Sequence, residues 1–555
     1  MGLVRSGTGT EPPSDEAARP GSTPRPWYVR RRSWLAAAGF AVFAAALFAV
    51  YLPLSRTSPE NSDQANILLA ASDMLHGNLL LHGWYLTDVS FYTTEEPQYA
   101  LLEIFFGVHA NTAHIAAAMT YTLAVLLAVL VARGGFTSRA ALIRLLITAG
   151  ILLAPQLGIG VAALLLAVGH IGTAVPVLLI WLLLDRAPQR WWVPVLTALG
   201  LAWVLIADQL VLVVAVVPLA LVCALRVLEA AVRARGLSRG VAARRYELSL
   251  IAAAAAAAGL AWVAERVLRA LGGYIQRPIR FNFASHYSWA TLHVLWAVPR
   301  IYGADYRGLA GGPYYIALLH MVSLALVGLA LLLVAWRFFA GAALVDQVLA
   351  VAIVGNIVLF VTTGAGSQGP HEIAVVAPFG AALAARMLAG SQDSRTRAEG
   401  ALARRTRIVA YGAGLAILLG YLGGLAHEVV QPAAPPDGSQ VASWLQAHHL
   451  RYGLGGYWQS SIVTVDTGGQ VKVRAVVKNT MEPYLWLAKP SWYDPATQQA
   501  NFVVLDSTRS YLYSEPRAAI AKYFGRPAHE YHVGPFTVMV WDRNLLPSIP
   551  SQAPY

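Results

Sequence analysis

Charge is scarce in this sequence. Only 13% of its 555 residues are Asp, Glu, Lys or Arg, while 57% are hydrophobic; a water-soluble domain carries about a quarter charged residues. That deficit excludes an ordinary soluble protein of this length. Cysteine is nearly absent: Cys223 stands alone inside an apolar run, which rules out a disulfide framework and a cysteine-based metal site. Lysine is confined to Lys472, Lys478, Lys489 and Lys522. Arginine carries the basic charge elsewhere, a usage that fits a GC-rich bacterial genome. No Gly-Lys-Ser/Thr follows a glycine-rich run, so a phosphate loop is excluded.

What the chain has in quantity is long apolar runs. Residues 33–54, 112–132, 140–155, 157–184, 191–207, 209–228, 249–271, 314–336, 345–363, 373–389 and 408–428 read as about eleven spans, since about 20 helical residues cross the hydrocarbon core. The fold class expected is an all-α polytopic membrane bundle with a small C-terminal α/β domain. The net charge of +12 does not point to nucleic acid, because the arginines stand at span ends: Arg30–Arg32, Arg133, Arg139 and Arg144, Arg233–Arg245, and Arg404–Arg407. That is the positive-inside pattern, and it predicts a plasma-membrane protein with a cytoplasmic N-terminus and an outer C-terminal domain. Residues 1–29 read as a disordered cytoplasmic tail, 30–430 as the transmembrane domain, and 431–555 as the outer domain. Arg30–Arg32 before the first span favour a retained anchor over a cleaved signal peptide.

Two connections on the expected outer side are long, 55–111 and 272–313, and long segments in a compact fold are usually functional. The first carries Glu60, Asp63, Asp73, Asp88, Glu95, Glu96 and Glu103 against Arg56 alone. From Gln64 to His76 the apolar residues Ile67, Leu68, Ala71, Met74 and Leu75 fall on one helical face stopped by Gly77, which predicts a helix lying flat on the membrane with Asp63 at its N-terminus. Thr94-Glu95-Glu96-Pro97 predicts a second helix, with Thr94 as N-cap and Gly107 as stop. Asp63 suits either a helix cap or a functional acid, and Glu95 and Glu96 suit either a helix dipole or a site.

The second loop carries Arg277, Arg280, Arg300 and Arg307 among Tyr274, His286, Tyr287, Trp289, Trp296 and Tyr302. Guanidinium forks suit phosphate oxygens, whether of a lipid-phosphate substrate or of headgroups. Histidines here are candidates for a divalent metal, but no His-x3-His spacing appears. Asp208 reads as a helix cap. His170 and Asp346 are ionisable groups within or near spans, which are functional candidates by default. In the outer domain Val441–Leu450 and Pro516–Phe524 read as helices. Ile462–Val465, Val471–Val477, Phe502–Leu505 and Phe536–Trp541 read as strands, the first two about a Thr467-Gly468-Gly469 turn. Tyr452-Gly-Leu-Gly455-Gly456-Tyr457-Trp458 suits a sugar-facing lip or a tight turn on a core.

This arrangement resembles the GT-C superfamily of membrane glycosyltransferases, which includes protein mannosyltransferases and aminoarabinose transferases. The likeness rests on Pro59-Glu60-Asn61-Ser62-Asp63 after the first span, then Asp73-Met-Leu-His-Gly77, Glu96-Pro97-Gln-Tyr99 and Phe106-Gly107. It rests also on Ala207-Asp208-Gln209 before a span containing Pro218 and ending at Arg226, and on Pro378-Phe379-Gly380 and Arg386 late in the bundle. Two positions depart from the pattern: Gln64 follows Asp63 where many members have a second acid, and His371-Glu372 stands where an Arg-Tyr is often found. The resemblance implies a polyprenyl-phosphate sugar as donor and an acceptor hydroxyl from a glycan, lipid or protein outside. It implies Asp63 as general base, Asp88, Glu95, Glu96 and the loop arginines as substrate-binding groups, and inversion at the anomeric carbon. A flippase or secondary transporter of a lipid-linked precursor, and a non-catalytic envelope scaffold, are the alternatives.

Overall fold

The computed structural model describes residues 27–135, 139–165, 169–187, 189–278, 283, 287–363, 369–389, 401–506 and 516–550. The chain forms two compact units, Met1–Leu47 and Phe48–Tyr555. In the first, the described residues begin helix α1 (Trp27–Ser55), where Trp34, Leu35, Phe40 and Val42 are exposed, as lipid-facing side chains would be.

In the second unit, α2 (Ser62–Leu75) and α3 (Glu95–Phe106) lie between the first two spans. Then follow α4 (Ala110–Arg133), α5 (Arg139–Leu152), α6 (Ile159–Leu165), α7 (Ile171–Arg186), α8 (Trp192–Ala207), α9 (Val217–Arg233), α10 (Leu237–Ala243) and α11 (Arg245–Ala270). The bundle continues through α12 (Tyr287–Ile301), α13 (Gly311–Arg337), α14 (Leu344–Thr362), α15 (Val376–Leu388) and α16 (Ala401–Val429). Among the described residues, eight helical segments are long and apolar enough to cross a membrane: Ala37–Ser55, Ala110–Arg133, Leu212–Arg233, Arg245–Ala270, Gly311–Arg337, Leu344–Thr362, Pro370–Leu388 and Val409–Val429. Each falls on an expected span, so the chain is a multi-pass membrane protein. The expected spans at 140–155, 157–184 and 191–207 fall on the shorter α5, on α6 with α7, and on α8. Pro155 lies just beyond α5, where a helix cannot continue through its missing N–H.

The Gly380 motif has a packing reason. Tyr302 donates from its hydroxyl to the Val376 carbonyl at 2.7 Å, and that phenol occupies the space a side chain at Gly380 would need. Gly380→Ala would expel the phenol. The expected outcome is a loss of about 1–3 kcal/mol of stability, read as an earlier thermal unfolding in detergent, with Tyr302→Phe in the same chain recovering part of it.

The C-terminal region contains α17 (Ser439–Ala447), α18 (Ser461–Asp466) and α19 (Arg517–Phe524). Two short strands, β1 (Tyr85–Leu86) and β2 (Ile275–Gln276), pair in parallel and join the two long loops. A second sheet holds β3 (Tyr452–Gly455), β4 (Lys472–Ala475), β5 (Phe502–Asp506), β6 (His529–Val533) and β7 (Phe536–Val540) in the order β4-β3-β5-β7-β6. β3 runs parallel to β4 and β5, and β7 antiparallel to β5 and β6. Ile462–Val465 is helical, within α18, rather than a strand. Its β-branched side chains are buried, Ile462 and Val465 sharing a core with α2 and α3, and that tertiary packing outweighs strand propensity. The turn at Thr467-Gly468-Gly469 is present, with both glycines at positive φ.

Sheet and bundle are stitched together at the loops. Tyr85 of β1 exchanges backbone hydrogen bonds with Ala488 at 2.9 and 3.2 Å. The linker after α16 is pinned to the first loop, Ala434 N–H donating to the Arg56 carbonyl and Asp437 N–H to that of Glu60. Ile67, Leu68 and Ala71 of α2 are buried against α3, α18 and the first loop. The apolar face of α2 therefore points into protein rather than lying flat on lipid, because the C-terminal domain covers it.

Candidate functional site

Asp63 sits in the first turn of α2, but it is not the cap. Asn61 is the N-cap: its side chain accepts from the Asp63 N–H at 2.8 Å, while Gln64 reaches back to the Asn61 N–H at 2.9 Å. This capping box satisfies the orphan donors of the helix end and frees the Asp63 carboxylate. Its Oδ1 accepts a 2.5 Å hydrogen bond from the hydroxyl of Tyr457, and the same hydroxyl accepts from Asn66 Nδ2 at 3.2 Å. Burial pushes the Asp63 carboxyl above its ordinary range, and the Tyr457 hydroxyl and the nearby His371 pull it partly back.

Tyr457 begins an aromatic wall. Its ring meets Tyr484 edge-on at 5.4 Å, Tyr484 lies nearly parallel to Trp486 at 6.3 Å, and Arg277 stands over Trp486, 5.2 Å from the ring centroid. The expected acid and one expected guanidinium thus stand at the two ends of one wall from the C-terminal domain. Arg277 directly follows β2, and its N–H donates to the Leu86 carbonyl at 3.3 Å. Its neighbours Gln276 and Pro278 line a cleft of about 600 Å³ that also takes in Gly83, Arg269, Gly272, Gly273 and Ile275.

The other expected arginines divide differently. Arg280 and His286 lie outside the described residues. Arg300 and Arg307 converge on Asp305, at 2.8 and 2.7 Å, rather than on Asp63. Against the upward push of burial, these two guanidiniums hold the Asp305 carboxyl below its ordinary range. The spacing Arg300-x4-Asp305-x-Arg307 is the local signal for this pairing, an acid close enough in the chain to claim both arginines.

Of the loop acids, Glu95 and Glu96 are buried in the first turn of α3. Thr94 bonds the Glu95 carboxylate instead of capping the helix backbone. The Glu95 carboxylate fills the place a side chain at Gly172 would take, and burial pushes it up to about 7. Glu96 has no hydrogen-bond partner among the described residues, and burial and Glu95 raise its carboxyl well above the ordinary range. Both are therefore poor candidates for an ionised dipole partner. Asp88 offers its backbone carbonyl to Gln276 Nε2 at 2.7 Å, and burial raises its carboxyl, helped by the charge of Glu372.

A cluster that sequence reasoning does not assemble lies beside these acids. His170 Nδ1 bonds Asp208 at 2.7 Å and its Nε2 bonds Glu372 at 3.2 Å. Thr173 donates to the same Asp208 oxygen that His170 bonds, and the Leu210 N–H donates to the other oxygen at 2.9 Å. Asp208 is thus both the cap expected and the partner of His170. His371, 3.5 Å from Glu372, is the residue whose charge reaches Asp63. His170 and Glu372 are 202 positions apart, and nothing in their local spacing marks the contact. Two other loop acids are structural: Glu60 pairs with His114 in the interior. Asp73 takes Lys489 at 2.7 Å and the Trp84 indole at 2.8 Å, fastening the C-terminal domain to the first loop. Among the described residues no group of three or more His, Cys, Asp and Glu is arranged to hold a metal ion.

Architecture is decided by comparison with known folds. Among solved structures, ArnT from Cupriavidus metallidurans, determined bound to undecaprenyl phosphate, superposes with a TM-score of 0.52 at 13% sequence identity, covering 91% of this chain and 98% of that one. The fold is GT-C-like. No family model matches the sequence, and no curated protein matches it. The GT-C-like fold accounts for most of the chain's length, from the first spans through the C-terminal domain. The GT-C-like fold that the resemblance at Asp63, Asp73 and the late Pro378-Phe379-Gly380 motif implies is the one the chain adopts.

Proposed function

We propose that this protein is an integral membrane glycosyltransferase that moves a sugar from a polyprenyl-phosphate donor to an acceptor hydroxyl at the outer face of the membrane. The observation that carries the reading is Asp63: a carboxylate freed from capping, its pKa raised by burial, and placed at the seam of bundle and C-terminal domain, where the charge of His371 reaches it and an aromatic wall runs from its partner Tyr457 to Arg277. The GT-C-like fold, shared with a protein determined with undecaprenyl phosphate bound, supports the donor class.

The chemistry asks little of the enzyme beyond a base and a positive charge. Asp63 takes the proton of the acceptor hydroxyl as its oxygen attacks the anomeric carbon. The bond from that carbon to the phosphate oxygen breaks, and the polyprenyl phosphate leaves with the electron pair. A phosphate leaving group is a weak base, so it needs charge stabilisation more than protonation; Arg277, at the other end of the aromatic wall, supplies it. Direct displacement from the face opposite the phosphate inverts the anomeric centre. Tyr484 and Trp486 offer flat faces on which a sugar ring can lie. Asp88, whose backbone carbonyl holds Gln276 beside Arg277, is the loop acid placed to accept hydrogen bonds from substrate hydroxyls.

The test is a comparison of envelope glycans from cells with and without the protein. The expected result is one missing sugar, restored by the wild-type chain and not by Asp63→Asn. An unchanged glycan inventory in the deletion strain would favour the scaffold reading.

A further inference from the structure

We infer that Tyr457 is a positioning residue for Asp63, so that the C-terminal domain completes the active site instead of only standing over it. The inference rests on the reading of Asp63 as base. Its geometry is independent of that reading. Tyr457 is 5% exposed. Its hydroxyl bonds Asp63 Oδ1 at 2.5 Å and is itself held by Asn66 Nδ2 at 3.2 Å, one helical turn further along α2. The phenol therefore bridges two side chains of α2 from a short 3-10 turn, Tyr457–Gln459, that belongs to the other domain. The ring is fixed by Tyr484 at 5.4 Å and by Trp458 at 5.0 Å. The strand before it ends in Gly453-Leu454-Gly455, where side chains at the two glycines would strike Phe502 and crowd Val473 and Val504, so the glycines let β3 seat close to its neighbours and deliver the turn onto α2.

With Oδ1 engaged, the carboxylate cannot swing about its bond to Cβ, and Oδ2 is left for the acceptor hydroxyl. A carboxylate accepting one strong hydrogen bond is also easier to keep ionised. The titratable groups on elements packed against α2 are Glu95, Glu96, Tyr99 and Glu103 on α3, His114 (paired with Glu60), Tyr121 and Arg133 on α4, Asp466 on α18 and Tyr457 itself. Beyond them, His371 bears on the charge of Asp63. None of these groups changes in Tyr457→Phe except the phenol, so a change in the pH dependence of that variant reports the loss of one donor.

The experiment uses the full chain in native membranes. The donor is the total polyprenyl-phosphate sugar fraction extracted from the host, tritiated in the sugar, and transfer to envelope acceptor is followed against pH. Tyr457→Phe keeps the ring and loses the hydroxyl. The base works ionised, so its loss of function on acidification marks its pKa. Removing a donor to the ionised form raises that pKa. The acid limb of the pH–rate profile should therefore move up by about one unit, with the rate above the limb reduced about tenfold and the KM for donor unchanged. Asn66→Ala, which leaves Tyr457 whole, should shift the limb in the same direction by less, and it keeps the test open should the phenylalanine variant fold poorly. A slower Tyr457→Phe with an unmoved limb in both variants would mean a structural role only and would overturn the inference, as would a wild-type rate and profile. The base reading is judged separately: with Asp63→Asn inactive and Tyr457→Phe unaltered, only this inference falls, whereas a fully active Asp63→Asn removes both.

Discussion

Asp63→Asn should lower the rate of sugar transfer by at least a hundredfold while leaving the protein folded and donor binding nearly intact. The amide is isosteric with the carboxylate and can still meet the Tyr457 hydroxyl, so the 2.5 Å contact does not collapse into a cavity. What it cannot do is accept the acceptor's proton, and positioned general bases contribute about 10²- to 10⁴-fold. The loss should therefore fall on kcat, with KM for the polyprenyl-phosphate donor unchanged, because the charge proposed to face the phosphate is that of Arg277. The check is initial-rate kinetics on membranes matched for protein level, with thermal unfolding of the purified variant as a control. A raised KM at unaltered kcat would assign Asp63 to binding rather than to proton transfer.

The largest effect on stability is expected far from that site. Arg386 of α15 is only 6% exposed at its side chain and bridges two carboxylates, Asp185 at 3.0 Å and Asp346 through its Nε. It also donates to the Val131 carbonyl at 2.8 Å. Arg144 of α5 donates to the backbone carbonyls of Ala132, Arg386 and Ala389 at 3.2, 3.1 and 2.9 Å, so one knot ties α4, α5, α7, α14 and α15. Arg386→Leu would strand two acids in a site with little water. Breaking a buried pair from one side costs about 3–5 kcal/mol, and the expected outcome is a marked fall in the unfolding temperature of the detergent-solubilised protein. Adding Asp185→Asn and Asp346→Asn should recover most of the loss, since it removes the orphaned charge rather than restoring the bridge. An Arg386→Leu protein that unfolds at the wild-type temperature would show that the knot contributes nothing net.

The parts of the fold that can be read from sequence are those whose solvent dictates their pattern. Lipid demands about 20 apolar residues per crossing, and each of the eight segments long enough to span falls on an expected apolar run. Shorter helices blur because Pro155 interrupts an apolar run without changing its hydropathy. In the C-terminal domain, α17, α19, β5 and β7 follow local signals. β6 does not, because its residues His529–His532 are exposed and polar and carry no alternation to read. The segment that forms α18 reads as strand, because β-branched residues speak for a strand until α2 and α3 are known to cover them.

The site is split in the same way. Asp63 and the group of Arg277, Arg280, Arg300 and Arg307 are visible because acids in one long loop and arginines in the other run against the composition of the chain, but nothing in the sequence separates Arg277 from the other three arginines. Tyr457 is visible only as part of a glycine- and aromatic-rich stretch; its partner lies 394 residues away, and no local rule links them. His170 can be seen as an ionisable group in an apolar run, but Asp208 and Glu372 come to it from distant stretches of chain. Asp346 gains its meaning only with Arg386 opposite. Charged groups in membrane proteins pair across the fold, and a linear pattern shows that a partner is needed without showing which it is.

The most direct measurement is turnover by the purified protein in lipid nanodiscs, supplied with polyprenyl-phosphate sugars and an envelope acceptor extract. If Asp63 is the base of a direct displacement, each sugar transferred releases one polyprenyl phosphate, and the new linkage has the anomeric configuration opposite to that of the donor. Transfer with retained configuration would contradict direct displacement with Asp63 as base, and intact donor after prolonged incubation with active acceptor would contradict the transferase itself.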